Sequence, residues 1–166
     1  FYEVLIMPQK ETDKFAPSNV FEGMTSISSL LSSPQENERR IEEIWISEEK
    51  RSSKAREIAF LKAKAKECGF PIVFVPKERI EEYAVGNSHG GILAFCSDRR
   101  IPRLEASDIV ENGFYVYLEG IEDPYNFGYS LRSLYATGAD GIILPKRNWM
   151  SAAGVVCRSS AGASEL

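Results

Sequence analysis

The chain has 166 residues, 43% of them apolar and 27% charged, ordinary proportions for one or two small globular domains. They exclude a disordered tail, a collagen-like fibre and a coiled coil. The apolar runs at 114–118 and 141–145 fall far short of the roughly 20 residues of a membrane helix.

No segment joins a basic start to a long apolar core, so we expect no secretory signal and no membrane partner, and a cytoplasmic location. The sequence opens on Phe1 rather than methionine, which leaves a cleaved signal open. Cys68, Cys96 and Cys157 are odd in number, widely spaced and without a CxxC pair. We therefore expect no structural zinc, no disulfide framework and a reducing compartment. His89 is the single histidine, so any histidine-based site has to be built around it.

Formal net charge is −4, which alone argues against a nucleic-acid partner. The distribution differs along the chain. Residues 124–166 carry Arg132, Lys146, Arg147 and Arg158 against Asp140 and Glu165, so an anionic ligand is expected on the C-terminal part.

The start, 1–7, reads as a short strand followed by a loop. Met24, Ile27, Leu30 and Leu31 space as a short helix over 23–31, stopped by Ser32-Ser33-Pro34. Residues 41–46 read as a strand centred on Ile44, Trp45 and Ile46. Over 52–67, rich in Ala, Lys and Glu, the stripe of Ile58, Leu61, Ala65 and Cys68 predicts a helix with Gly69 as its C-cap. Lys62, Lys64 and Lys66 fall on its solvated face.

Residues 70–75 read as a strand, and Pro71 places its start at a sheet edge. A short helix over 77–84 and a strand over 91–96 follow. This strand–helix alternation predicts a small α/β domain over 1–97. Ser97–Arg103 is polar and holds Pro102, so we set a linker at 98–112.

Beyond it, 114–118 reads as a strand, 119–127 as a loop, 128–137 as a helix with Leu131, Leu134 and Tyr135 on its apolar face, and 141–144 as a strand. This βαβ unit predicts a parallel sheet within a second domain over 113–166. Residues 149–160 read as a loop and short helix, with Trp149 packed in a core and Cys157 a small buried hydrophobe. Two clear strands make a poor core, so we expect the chain to be part of a longer one.

Residues 118–132, LEGIEDPYNFGYSLR, join a strand to a helix, where open α/β sheets bind ligands. Asn126 and Gly128 are expected at the helix entrance. Gly128 lets a ligand or another backbone come close, and free amides of the first turn favour an anion. Arg132, one turn on, carries a planar fork of donors suited to phosphate. The plainer alternative is a turn, an Asn126 cap and a solvated Arg132. The segment is neither a P-loop nor GxGxxG. Lys146 and Arg147 follow the last strand and are candidate contacts for an anionic ligand. His89, in Asn-Ser-His-Gly-Gly, is either a loop histidine or a ligand contact. Glu119 and Asp123 read as turn and solvent residues.

The pattern Asn126-x-Gly128-x-x-x-Arg132, with Ser133-Leu134-Tyr135-Ala136-Thr137-Gly138 and GIILPKRN behind it, resembles the first motif of the SpoU (TrmH-type) RNA 2′-O-ribose methyltransferases. Ser159-Ser160-Ala161-Gly162-Ala163-Ser164-Glu165 is similar to the small-residue stretch that follows there. Upstream, 23–31 and 87–94 resemble the N-terminal substrate-binding domain of many members. His89-Gly90-Gly91 stands where that domain usually has His-Gln-Gly. The family's second and third motifs are absent from these residues, so we expect the cofactor-binding residues beyond Leu166.

The resemblance implies the first half of an α/β-knot (SPOUT) methyltransferase domain behind the substrate-binding domain. It implies methyl transfer from S-adenosylmethionine to a ribose 2′-hydroxyl of rRNA or tRNA, usually by a homodimer, with no metal. Arg132 and Asn126 would be the catalytic pair, and Gly128, Lys146, Arg147 and His89 RNA contacts. Arg132 stays protonated, which favours a phosphate clamp that stabilises the developing alkoxide. A phosphate-assisted arginine base stays open, with Asn126 orienting Arg132 or the ribose. The alternative from another class is a non-catalytic RNA-binding protein with a degenerate methyltransferase fold.

Overall fold

Alternation along the strand at 92–96 sets the architecture. Successive side chains of a strand point to opposite faces, and all five of these residues are buried, so the strand must be covered on both sides. The computed structural model describes residues 19–33, 39–99, 101–146, 149 and 151–166. It places this strand, β4 (Ile92–Cys96), inside a four-stranded sheet ordered β1-β4-β2-β3. The other strands are β1 (Val20–Glu22), β2 (Ile41–Ser47) and β3 (Ile72–Val75). β4 runs antiparallel to β1 and β2, and β2 runs parallel to β3. β3 is the edge expected from Pro71. The segment 1–7 lies outside the described residues.

One face of the sheet buries Phe21, Ile44, Ile46, Ile92, Ala94 and Cys96 against Ile27 and Leu30 of α1 (Gly23–Ser32) and Ile58 and Leu61 of α2 (Ala55–Cys68). The other buries Val20, Trp45, Leu93 and Phe95 against Ile80 of α3 (Lys77–Tyr83). Trp45 and Phe95 meet edge to face, with ring centroids 4.6 Å apart.

The sequence of α2 explains its length. Ala, Glu, Lys and Arg favour helix, and Gly69, at φ 81°, closes it in the left-handed conformation a glycine adopts freely. Cys68, expected on the buried stripe, is exposed. Lys62 and Lys66 are exposed, and Lys64 pairs with Glu67 at 2.7 Å.

The second sheet holds β5 (Tyr115–Tyr117) and β6 (Gly141–Ile143), parallel as expected, with Tyr115 beside Gly141. Between them runs α4, Pro124–Ala136. It begins four residues earlier than the sequence pattern suggests. Asp123 caps it and Pro124 takes the first helical position, where a missing N–H has no consequence. The Asp-Pro-Tyr-Asn turn is thus the entry and first turn of the helix.

α5 (Ala153–Ser159) packs between β1 of the first sheet and α4. Ala153 and Cys157, one turn apart, complete the core of the four-stranded sheet, while Val156 joins Phe127, Leu131 and Trp149 under α4. Trp149 stacks on Phe127 at 4.6 Å and donates its ring N–H to the Pro145 carbonyl at 2.8 Å. It is a core residue, as is Cys157, fully buried.

Candidate RNA-contact and catalytic site

Helical geometry decides which motif residues share a surface. At about 100° per residue, Asn126 and Arg132 stand roughly 120° apart around α4. Arg132 is exposed, and among the described residues no hydrogen bond or ion pair engages its guanidinium. Asn126 is also exposed, on the side of the helix away from Phe127, Gly128 and Leu131, which are buried. The helix therefore does not bring Asn126 and Arg132 onto one face.

Two expectations at the helix entrance are corrected. Asn126 is not the cap. Its backbone N–H donates to Asp123 Oδ2 at 2.8 Å, so a carboxylate of the chain already fills the place where an external anion would dock. Gly128 is not an RNA-facing residue. A Cβ built there would fall 1.8 Å from Ser159 Oγ and 2.9 Å from the Val156 carbonyl. The missing side chain lets α5 approach; the backbone, not the ligand, is what comes close.

Two neighbours of Arg132 escape the sequence pattern. Tyr125, Tyr129 and Arg132 recur at i, i+4 and i+7, within about 60° of one another, and both rings are exposed, at 40% and 55%. Exposed aromatic rings beside a guanidinium can stack on bases and pair with phosphate. The spacing is present in the sequence but hidden once the helix start is set at Gly128.

Lys146 is exposed just past β6 and lines a cleft of about 670 Å³ with Arg103, Ile101, Leu104, Leu144 and Trp149. Arg147 lies outside the described residues. Among the described residues the charged groups of this lining are both cationic, which suits a polyanion. S-adenosylmethionine carries an ammonium and a sulfonium beside its one carboxylate, and among the described residues this lining supplies no carboxylate for the two cations. No residue of this chain is assigned to the cofactor.

His89 belongs to a different cleft, about 610 Å³, at the carboxyl end of β2, with Lys50, Lys77, Asn87 and Gly90 in its wall. His89 is half-buried. Its Nδ1 accepts the Gly91 N–H at 3.0 Å, which leaves Nε2 to carry the proton of the neutral ring. Ser47 Oγ, also in this lining, is buried without a hydrogen-bond partner among the described residues. Among the described residues the His89 cleft and the Lys146 cleft share no lining residue.

Polar groups also fix the C-terminal turn. Arg39 Nε donates to Glu165 Oε2 at 3.0 Å, with both side chains fully buried. Arg39 also donates to the Ser97 carbonyl at 2.8 Å, and Arg99 donates to the Ser164 carbonyl at 2.6 Å. Periodicity gives no signal for these pairs, because their members lie far apart in sequence.

A mixed sheet and a parallel βαβ unit define an α/β protein, with an exposed arginine beside two exposed tyrosines on α4. The family described as RNA 2′-O ribose methyltransferase substrate binding matches residues 20–102, and the chain belongs to the SpoU (TrmH-type) family. It is 29% identical over 134 residues to a Bacillus subtilis protein named putative TrmH family tRNA/rRNA methyltransferase YacO, covering 78% of this chain and 52% of that one. It is 30% identical over 149 residues to 23S rRNA (guanosine-2′-O-)-methyltransferase RlmB of Shewanella oneidensis, covering 86% and 57%. The fold is similar to the AdoMet-bound rRNA methyltransferase of Sinorhizobium meliloti, with a TM-score of 0.61 at 21% identity over 88% of this chain and 51% of that one. The chain spans about half the length of the curated relatives it matches.

Proposed function

We propose that this chain serves an RNA 2′-O-ribose methyltransferase acting on rRNA or tRNA, in the cytoplasm and as a homodimer. Residues 1–97 form its RNA-binding unit and 113–166 its methyltransferase unit, joined by 98–112, with α5 packed across the boundary. The observation that carries the reading is Arg132, a permanently charged fork left open on the exposed side of the helix that follows β5. The names of the relatives support it.

The methyl donor in this reading is S-adenosylmethionine. The chain's own part is to hold the RNA and prepare its hydroxyl. A ribose 2′-hydroxyl is a poor nucleophile and must lose its proton as the methyl group arrives. Arg132 clamps the adjoining phosphate and stabilises the charge that develops on the ribose oxygen. Lys146 and Arg147 hold the backbone further along, and His89, with Lys50 and Lys77 near it, engages RNA on the first sheet. Asn126, opposite the buried side of α4, contacts the ribose rather than Arg132.

Methyl transfer to unmodified ribosomal RNA tests this. Arg132→Ala is expected to lower the rate on the order of 10²–10³-fold, the typical loss of one preorganised stabilising group, without unfolding, because the side chain packs against nothing it must support. Arg132→Lys is also impaired, since a point charge does not replace a planar fork. Wild-type turnover by Arg132→Ala overturns the assignment. RNA binding without any transfer by the full-length wild-type protein supports the non-catalytic alternative.

A further inference from the structure

Glu22 ends β1 with its side chain only 3% exposed. A buried carboxylate needs donors, and it has three. The N–H groups of Val85 and Gly86 donate to Oε1, the latter at 3.1 Å, and Arg158 donates to Oε2. Arg158 uses its other amino group to donate to the Tyr125 hydroxyl at 2.9 Å, and its guanidinium carbon lies 5.9 Å from the centre of that ring. A Cβ on Gly86 would fall 1.9 Å from Arg158 Nη1, so any larger residue there would displace the guanidinium from its present place.

These bonds form one unbroken chain. It starts in the loop 85–91, which carries His89, passes through Glu22 and Arg158, and ends on the first turn of α4 at Tyr125, beside Asn126 and one turn before Tyr129. The bonds to Glu22 are charge-assisted, the strong kind. Arg158 comes from α5, the helix packed between β1 and α4.

We propose that Arg158 is a positioning residue that sets the His89 loop and the Tyr125–Tyr129–Arg132 face of α4 in fixed relation, so that one RNA engages both. The inference rests on the RNA-directed reading above. Two separate contact surfaces act as one site only when their spacing matches the ligand; a fixed spacing raises the effective concentration of the second contact once the first is made. A loose joint would leave each surface intact and the pair weak.

The test uses the full chain and an unmodified large-subunit ribosomal RNA transcript as the probe. Tyr125→Phe removes one hydroxyl from an exposed ring and leaves the fold unthreatened. It is expected to raise the hydrogen-exchange rates of the Val85 and Gly86 amides several-fold, although it lies on another element, and to weaken RNA binding several-fold. Arg158→Lys keeps a charge against Glu22 but cannot bridge to Tyr125, and is expected to do the same. The double variant Glu22→Gln/Tyr125→Phe should lose less than the sum of its single variants, since both break the same chain.

Unchanged exchange at Val85 and Gly86 in Tyr125→Phe, or strictly additive losses in the double variant, overturns the proposal. Should the wild-type chain fail to bind the transcript, the RNA reading falls, and the exchange measurement alone decides the relay: propagation to Val85 and Gly86 supports it, and its absence overturns it.

Discussion

Gly128 and Ser159 face each other across α4 and α5 with no room for a methyl group: a Cβ on Gly128 would fall 1.8 Å from Ser159 Oγ and 2.9 Å from the Val156 carbonyl. The serine is held there by its own hydrogen bond to the Val155 carbonyl at 2.9 Å. Gly128→Ala therefore forces the helices apart, and overpacking of this kind typically costs about 1–3 kcal/mol. Urea unfolding of the variant measures it. Gly128→Ala/Ser159→Gly should recover part of the loss. Gly128→Ala/Ser159→Ala should recover less, because the Val156 carbonyl and a β-carbon remain in the way.

Glu165→Ala removes the carboxylate that faces fully buried Arg39. Breaking a buried pair from one side leaves the other charge uncompensated, at a typical cost of about 3–5 kcal/mol. Denaturant midpoints should fall accordingly. Arg39→Met/Glu165→Leu, which removes both charges, should be more stable than Glu165→Ala. A double variant as unstable as the single one would show that the pair's geometry, rather than the orphaned charge, sets the loss.

Arg132, Lys146 and Arg147 concentrate positive charge on the C-terminal part of an acidic chain, so RNA affinity should fall with salt despite the net charge of −4. For single-stranded RNA, every phosphate the protein neutralises adds about 0.7 to the steepness of log affinity against log salt, so Lys146→Ala/Arg147→Ala should flatten the slope by about 1.4. Lys62→Ala/Lys64→Ala/Lys66→Ala, on the solvated face of α2, should leave the slope nearly unchanged. If instead the α2 variant flattens the slope and the loop variant does not, the RNA path runs over α2.

The cysteines should separate cleanly by reactivity. Cys68 is exposed, whereas Cys96 and Cys157 are buried. Burial pushes the Cys157 thiol up to about 12, and burial raises the Cys96 thiol as well. The thiolate is the reactive form, and at about pH 8, far below those values, both buried groups stay protonated. Native protein should therefore react with a disulfide reagent at one thiol, Cys68, and unfolded protein at all three.

Much of the first sheet is readable from local pattern. Ile44, Trp45 and Ile46, the stripe of Ile58 and Leu61 closed by Gly69, and the run at 92–96 each carry their own period and punctuation. β1 escapes because three residues show no period. The start of α4 is misplaced because Asp-Pro-Tyr-Asn satisfies turn chemistry and helix-entry chemistry equally well, and only the packing of Phe127 under Trp149 separates them. Around the candidate site, the helix that carries Arg132 and the parallel pairing of β5 with β6 are legible. The burial of Gly128 and the Glu22–Arg158–Tyr125 chain are not, since each depends on α5 lying against elements distant in sequence.

The placement of α5 has a consequence for biosynthesis. Phe21, Ile44 and Ile92 leave the ribosome well before Ala153 and Cys157, which finish covering their face. Until then a nascent chain displays part of an apolar sheet to the surrounding solvent, with β1 lacking the helix that lies on its backbone at Gly154. Contacts of such high sequence separation form late and slowly, and exposed sheet is what aggregates in the interval. The first sheet is thus born with an open flank, and translation must run to α5 before it can shut.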